Sequence, residues 1–220
     1  MKLIPPYIFI SILLLISCND TPQSKKQRAV TTSAVDFQEI NKNDSVPFYK
    51  KYDVQSGVIT FNTTMNTLTV NVSYKTVVSF DNYGMQERRD TYNGNDLIET
   101  FLSDGFNNYN ISHTHKNIVR TGKAYRGTES RFGWDEIKKE DIKSGRVIKE
   151  APQIIANKKC QVYSIMTGVA SVTYGGWKHI ILLNEVESPG GKSLSKAVKV
   201  ELYNVDPETF KLPKGYAAKG

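Results

Sequence analysis

The tetrapeptide Glu87-Arg88-Arg89-Asp90 sets two guanidinium groups between two carboxylates. On an extended chain Arg88 and Arg89 point to opposite sides. One of them can therefore face a concave surface, where its planar fork suits a carboxyl, phosphate or ester oxygen. The plainer reading pairs each arginine with Glu87 or Asp90 at the surface, a common and weak arrangement. His113-Thr114-His115 puts two imidazoles on one side of a strand, the start of a metal chelate. The other histidine, His179, lies in a separate segment, and no carboxylate or thiol stands at ligand spacing, so no metal is assigned. Ser188-Pro189-Gly190-Gly191-Lys192-Ser193 ends like a phosphate loop, but Val186 stands where the first glycine belongs, and strand-like sequence flanks both sides. No nucleophile with a base, paired carboxylates or dinucleotide loop is legible. The expectation is a protein that is not an enzyme and needs no cofactor.

Cys18 is the residue with the most defined chemistry. It follows an uncharged run, Leu3 to Ser17, that is preceded by Lys2. A membrane span needs roughly 20 apolar residues, and Pro5 and Pro6 spoil the first turn of this shorter run. Basic start, apolar core and small residue before the cysteine describe a cleaved leader. Leu15-Ile16-Ser17-Cys18 resembles the bacterial lipobox, in which the thiol takes a diacylglyceryl group and becomes the new N-terminus. Several acyl chains, at about 0.8 kcal/mol per buried CH2, make a firm anchor. Residues 1–17 are thus expected to be a leader and residues 18–47, polar and rich in Ser, Thr, Asn and Lys, a tether. The protein is placed in the cell envelope, at the outer membrane. With Cys18 acylated, Cys160 has no partner; alternating with Val162, it reads as a small buried hydrophobe.

Losing Lys2 with the leader lowers the net charge from +7 to +6, which suits anionic lipid or glycan surfaces. Export removes nucleic acid as a partner, and the twelve tyrosines serve as strand formers.

From Phe48 onward the pattern is β. Over 67–80, Leu68, Val70, Val72, Tyr74, Val78 and Phe80 share one parity and polar residues the other, predicting a long strand with one buried face and a bulge near 75–77. Similar alternation recurs at 52–61, 87–93, 97–104, 106–113, 160–166, 177–187 and 197–205. Turn chemistry separates these runs at 81–84, Asn93-Gly94, Asp104-Gly105, Thr121-Gly122, Tyr174-Gly175-Gly176 and Pro189-Gly190-Gly191. One segment, 133–145, reads as a helix with Trp134, Ile137 and Ile142 on one side and Gly145 as its stop. The expected fold is mainly β: a curved antiparallel sheet of roughly nine to eleven strands forming an incomplete, half-open barrel with one short helix, a single domain over 48–220.

The C-terminal order Asn204-Val205-Asp206, Phe210, Leu212-Pro213 and Gly215 resembles the close of the Lol lipoprotein carrier and outer-membrane receptor superfamily. Upstream, 83–92 and 102–111 resemble its paired strands, one bearing an arginine and the next running from an Asp-Gly turn to an aromatic; the likeness to anchored Bacteroidetes-type domains spans 52–216. It implies a half barrel around an apolar cavity that takes acyl chains, with a helical lid more extensive than the one helix read here. It also implies lipid or lipoprotein as ligand, with Arg88, Tyr74, Phe80 and Tyr109 as contacts. The alternative is a non-catalytic envelope module binding protein or glycan.

Overall fold

The computed structural model describes residues 50–124 and 139–219. The leader, Cys18, the tether and residues 133–138 of the expected helix lie outside them. Thirteen strands are present: β1 (Gly57–Thr67), β2 (Asn71–Asp81), β3 (Gln86–Asn93), β4 (Asp96–Ser103), β5 (Asn107–Ser112), β6 (Asn117–Lys123), β7 (Val147–Lys149), β8 (Gln153–Ile155), β9 (Lys158–Thr167), β10 (Ala170–Trp177), β11 (Ile180–Ser188), β12 (Gly191–Glu201) and β13 (Ala217–Lys219). The count exceeds the expectation because β7, β8 and β13 have three residues each, too short for alternation to show. Among the described residues helix α1 is Lys139–Lys143, and Gly145, in the left-handed region, follows it as the stop.

All strands belong to one open sheet in the order β13-β6-β5-β4-β3-β2-β1-β12-β11-β10-β9-β7, with β8 paired to β9. Two antiparallel meanders, β1–β6 and β9–β12, are joined where β1 pairs with β12 over ten residue pairs. Only β13 runs parallel to its neighbour, β6. The two ends of the path do not pair with each other; β6 lies beside one edge and β7 at the other.

Three cores hold the sheet. Ile59, Val78, Phe80, Ile180, Leu182 and Ala197 pack with Tyr52 from the segment before β1 and with Ile155 and Cys160 from the β8–β9 hairpin. Leu102, Tyr109, Ile111 and Ile118 of the first meander are covered by Val205 and Phe210, which follow β12. Val147 and Tyr163 form the third with Ile165, Tyr174 and Ile181. Buried Ser56 ties the first two together: its hydroxyl donates to the Phe80 carbonyl (3.1 Å) and accepts from the Val205 amide (3.0 Å). Asp206 then caps the 3-10 turn Pro207–Phe210 by accepting from the Glu208 amide (2.9 Å).

Several sequence expectations need correction. The first strand starts at Gly57, since residues 52–56 form bends, and β2 starts at Asn71, not 67. The bulge expected near 75–77 falls instead in the β1–β12 and β3–β4 pairings, after Thr60 and Thr91. The run 177–187 is broken by a hairpin turn at Lys178-His179, whose φ angles of 49° and 62° are those usually left to Asn-Gly. Thr121-Gly122 and Tyr174-Gly175-Gly176 are strand, not turn. Gly175 sits inside β10 because a side chain there has no room: a Cβ would lie 2.9 Å from Leu183 Cβ and 3.0 Å from Ile155 Cδ1.

A candidate ligand face on the open sheet

Directly paired residues share a face of a sheet, so the register assigns side chains. Val72 pairs with Met65, Met65 with Ser193, Ser193 with Val186, Val186 with Val172, Val172 with Ile165, and Ile165 with Val147. This row crosses seven strands on one face, and all but the last residue are only partly buried. At about 4.8 Å between strands it runs roughly 30 Å, close to a bilayer's whole hydrocarbon thickness. On β1, β2 and β12 the opposite face is polar and exposed at Asn62, Thr64, Asn66, Ser73, Lys75, Lys192 and Lys196, whereas on β9 and β11 it buries Val162 and Leu183.

One step along the strands, a second row on the apolar face reads Tyr74, Thr63, Ser195, Asn184, Tyr174, Tyr163. Thr63 donates to the Ser195 hydroxyl at 2.9 Å. Burial pushes the Tyr174 phenol above its ordinary range. Asn184 Oδ1 is buried with no hydrogen-bond partner, which costs about 1–3 kcal/mol unless something supplies a donor.

Val78 pairs with Arg89, so Arg89 shares this face and Arg88 does not. The Arg89 guanidinium lies 5.8 Å from the Phe101 ring centroid, and its Nε donates to Glu87. Glu87, 1% exposed, also accepts from Lys51 Nζ (2.6 Å) and Tyr52 OH (2.7 Å). Burial alone would raise its pKa, but the charges of Arg89 and Lys51 hold the carboxyl well below the usual range. Burial and the Glu87 charge together push the Tyr52 phenol up.

The expected contacts fall on two faces. Tyr74 and Phe80 are on the apolar-row face, Phe80 fully buried beneath it. Arg88 and Tyr109 are on the other, paired through Leu102. Arg88 is committed there, its Nε reaching both Asp90 oxygens at 2.9 Å and its Nη1 the Thr209 carbonyl at 3.2 Å. The pairs of the plainer reading form, Arg88 with Asp90 and Arg89 with Glu87, but away from the surface, since Glu87 is buried and Arg88 and Asp90 are mostly so. Tyr109 is 3% exposed, within the core under Phe210. The parity of Arg89, and the rows on β9–β12, were visible as alternation, but assigning them a face requires the strand register.

His113 lies in the turn after β5, so the strand argument for a His113–His115 chelate fails. Its Nε2 is 2.8 Å from Thr100 Oγ1 and its Nδ1 is 2.8 Å from Tyr216 OH. Because buried Thr100 gives its proton to Asp90, Nε2 carries the hydrogen and Nδ1 accepts from Tyr216. Burial lowers the His113 pKa. Both nitrogens are thus used, joining Tyr216 of the C-terminal segment to Thr100 of β4. Among the described residues no group of three or more His, Cys, Asp or Glu could hold a metal, and no helix is long and apolar enough to cross a membrane.

Neither a protein-family model nor a curated protein matches the sequence. Among solved structures, the chain is similar to an uncharacterized conserved protein from Thermus thermophilus, at 8% identity over 75% of this chain and 90% of that one, with a TM-score of 0.51. It is also similar to a LolA superfamily protein from Nitrosomonas europaea (9% identity, 74% and 93% covered, TM-score 0.39). A third is a DUF1329 family protein from Desulfovibrio piger (10%, 72% and 90%, TM-score 0.35). At 8% identity the likeness to the Thermus thermophilus structure is one of fold alone.

Proposed function

We propose that the protein is an outer-membrane lipoprotein, anchored through Cys18, whose half barrel binds a lipid acyl chain or similar apolar ligand without catalysis. In this reading residues 1–17 are removed, 18–47 form the tether, and 48–220 form the binding domain. The observation that carries it is the seven-strand apolar row, Val72 to Val147, on one face of an unclosed sheet. A surface that long and only partly buried gains about 0.8 kcal/mol for each ligand CH2 it takes from water. Lipid or lipoprotein is the partner that fits; nucleic acid is not.

The mature chain carrying Cys18→Ser, purified from an envelope fraction and examined by native mass spectrometry and organic extraction, should retain lipid. Val172→Asp and Val186→Asp, at the middle of the row, should lose it while keeping the β-sheet circular dichroism. Purified protein that is free of lipid and takes none up from added fatty acid overturns the reading.

A further inference from the structure

At the end of the sheet where residues 50–56 lead into β1, three turns run on non-glycine residues in the left-handed region: Asn82-Tyr83, Ala156-Asn157 and Lys178-His179. At the other end the β3–β4 and β9–β10 hairpins turn on Gly94 and Gly168, and the β5–β6 turn holds one such residue, Lys116. A left-handed lysine or histidine carries a steric penalty at its Cβ that glycine avoids. Such outliers mark places where the side chains themselves are wanted.

Between these turns lies a cleft of about 260 Å³ lined by Asp53, Lys159, Gln161, Trp177, Lys178 and His179. Lys158 Nζ and Lys178 Nζ stand 4.9 and 5.2 Å from the Trp177 ring centroid. Among the described residues, no carboxylate lies within ion-pair distance of Lys158, Lys159 or Lys178. The one carboxylate in the cleft, Asp53, is 3.3 Å from His179 Nε2. Its backbone amide donates to the Lys178 carbonyl (3.1 Å), which fixes the strap against the turn. Lys159 and Lys178 thus line the same recess as the Trp177 indole and outnumber the one acid among its lining residues, in a cleft shaped by two hairpins. Like charges repel when gathered this way, and the arrangement is favourable once an anion sits among them.

We propose that this cleft binds a phosphate ester, with Lys159 and Lys178 neutralising the phosphoryl oxygens and the Trp177 face carrying the organic part. Lysine ammoniums act on phosphate as movable point charges with three donors each. The ester could be a phospholipid headgroup or a soluble phosphate. The site is separate from the apolar row and does not depend on it.

The mature Cys18→Ser chain is titrated with glycerol phosphate and inorganic phosphate by calorimetry, and with phosphatidylcholine vesicles with and without phosphatidylglycerol by sedimentation. Binding to the phosphatidylglycerol vesicles alone assigns a headgroup; saturable binding of the soluble esters assigns a soluble ligand. In either arm Lys159→Gln with Lys178→Gln should weaken binding by about tenfold or more, the worth of a lost charge-assisted contact. Lys75→Gln with Lys196→Gln, on the polar face of the sheet, should leave it unchanged. No binding in any arm, or equal weakening by the two double variants, overturns the proposal.

Discussion

Glu87 keeps its charge out of water because three donors from two directions meet its two oxygens: Lys51 and Tyr52 from the segment before β1, and Arg89 from its own strand. Removing one member of such a group leaves buried charge uncompensated. Both cations still reach solvent, with 23% and 43% of their side chains exposed, so Glu87→Gln should cost about 2 kcal/mol, below the range for fully enclosed pairs. The pH dependence follows from the direction of the shifts. His113 and Glu87 both have folded pKa values below their ordinary 6.5 and 4.5. The unfolded chain therefore binds protons first as pH falls, and stability is present above those values and lost below them. Urea midpoints should decline in two stages, from about pH 6.5 and again from about 4.5; Glu87→Gln should flatten the second stage and spare the first. An unaltered acid slope in that variant would remove Glu87 from the account. The pairing of acids and arginines two apart was legible from the tetrapeptide. Which arginine faced the apolar side was not, because parity fixes opposition and leaves the sign to the tertiary fold.

At the scale of elements, alternation located the long strands because each buries one face, whereas the hairpin at Lys178-His179 hid because backbone strain replaced glycine there. Lys178-His179 broke an apparently continuous run, and Tyr174-Gly175-Gly176, with the composition of a turn, lies inside β10. The reason is packing. Gly175 lets Leu183 and the folded-over β8 residue Ile155 approach its backbone, so the glycine serves contact and not curvature. Gly175→Ala should cost about 1–3 kcal/mol as an overpacked site. Gly94→Ala, with the same added atom in open space but at φ 60°, provides the comparison for backbone strain. Combining Gly175→Ala with Ile155→Val should recover part of the loss if the clash with Ile155 is its cause; thermal unfolding of the two variants and their combination measures this.

The whole molecule is one sheet whose last segment returns to its first half. After β12 completes the second meander beside β1, Val205 and Phe210 lie over Leu102, Tyr109, Ile111 and Ile118, and β13 then pairs with β6. The apolar row likewise exists only at this scale, since its members come from seven strands scattered between residues 65 and 193. No local pattern could have shown them adjacent. A chain that closes on itself this way ties the stability of each half to the other: ten paired positions join β1 to β12, and Ser56 bonds to both Phe80 and Val205. Phe210 is 4% exposed, so Phe210→Ala should cost about 3–5 kcal/mol. If the halves are one cooperative unit, that loss appears as a lower midpoint of a single transition with an unchanged denaturant slope. In a Trp134→Phe background, tryptophan fluorescence, which then reports Trp177 in the second meander, and far-ultraviolet dichroism, which averages the whole sheet, should move together. Two separated transitions, with only one displaced by the substitution, would show instead that the returning segment stabilises the first meander by itself.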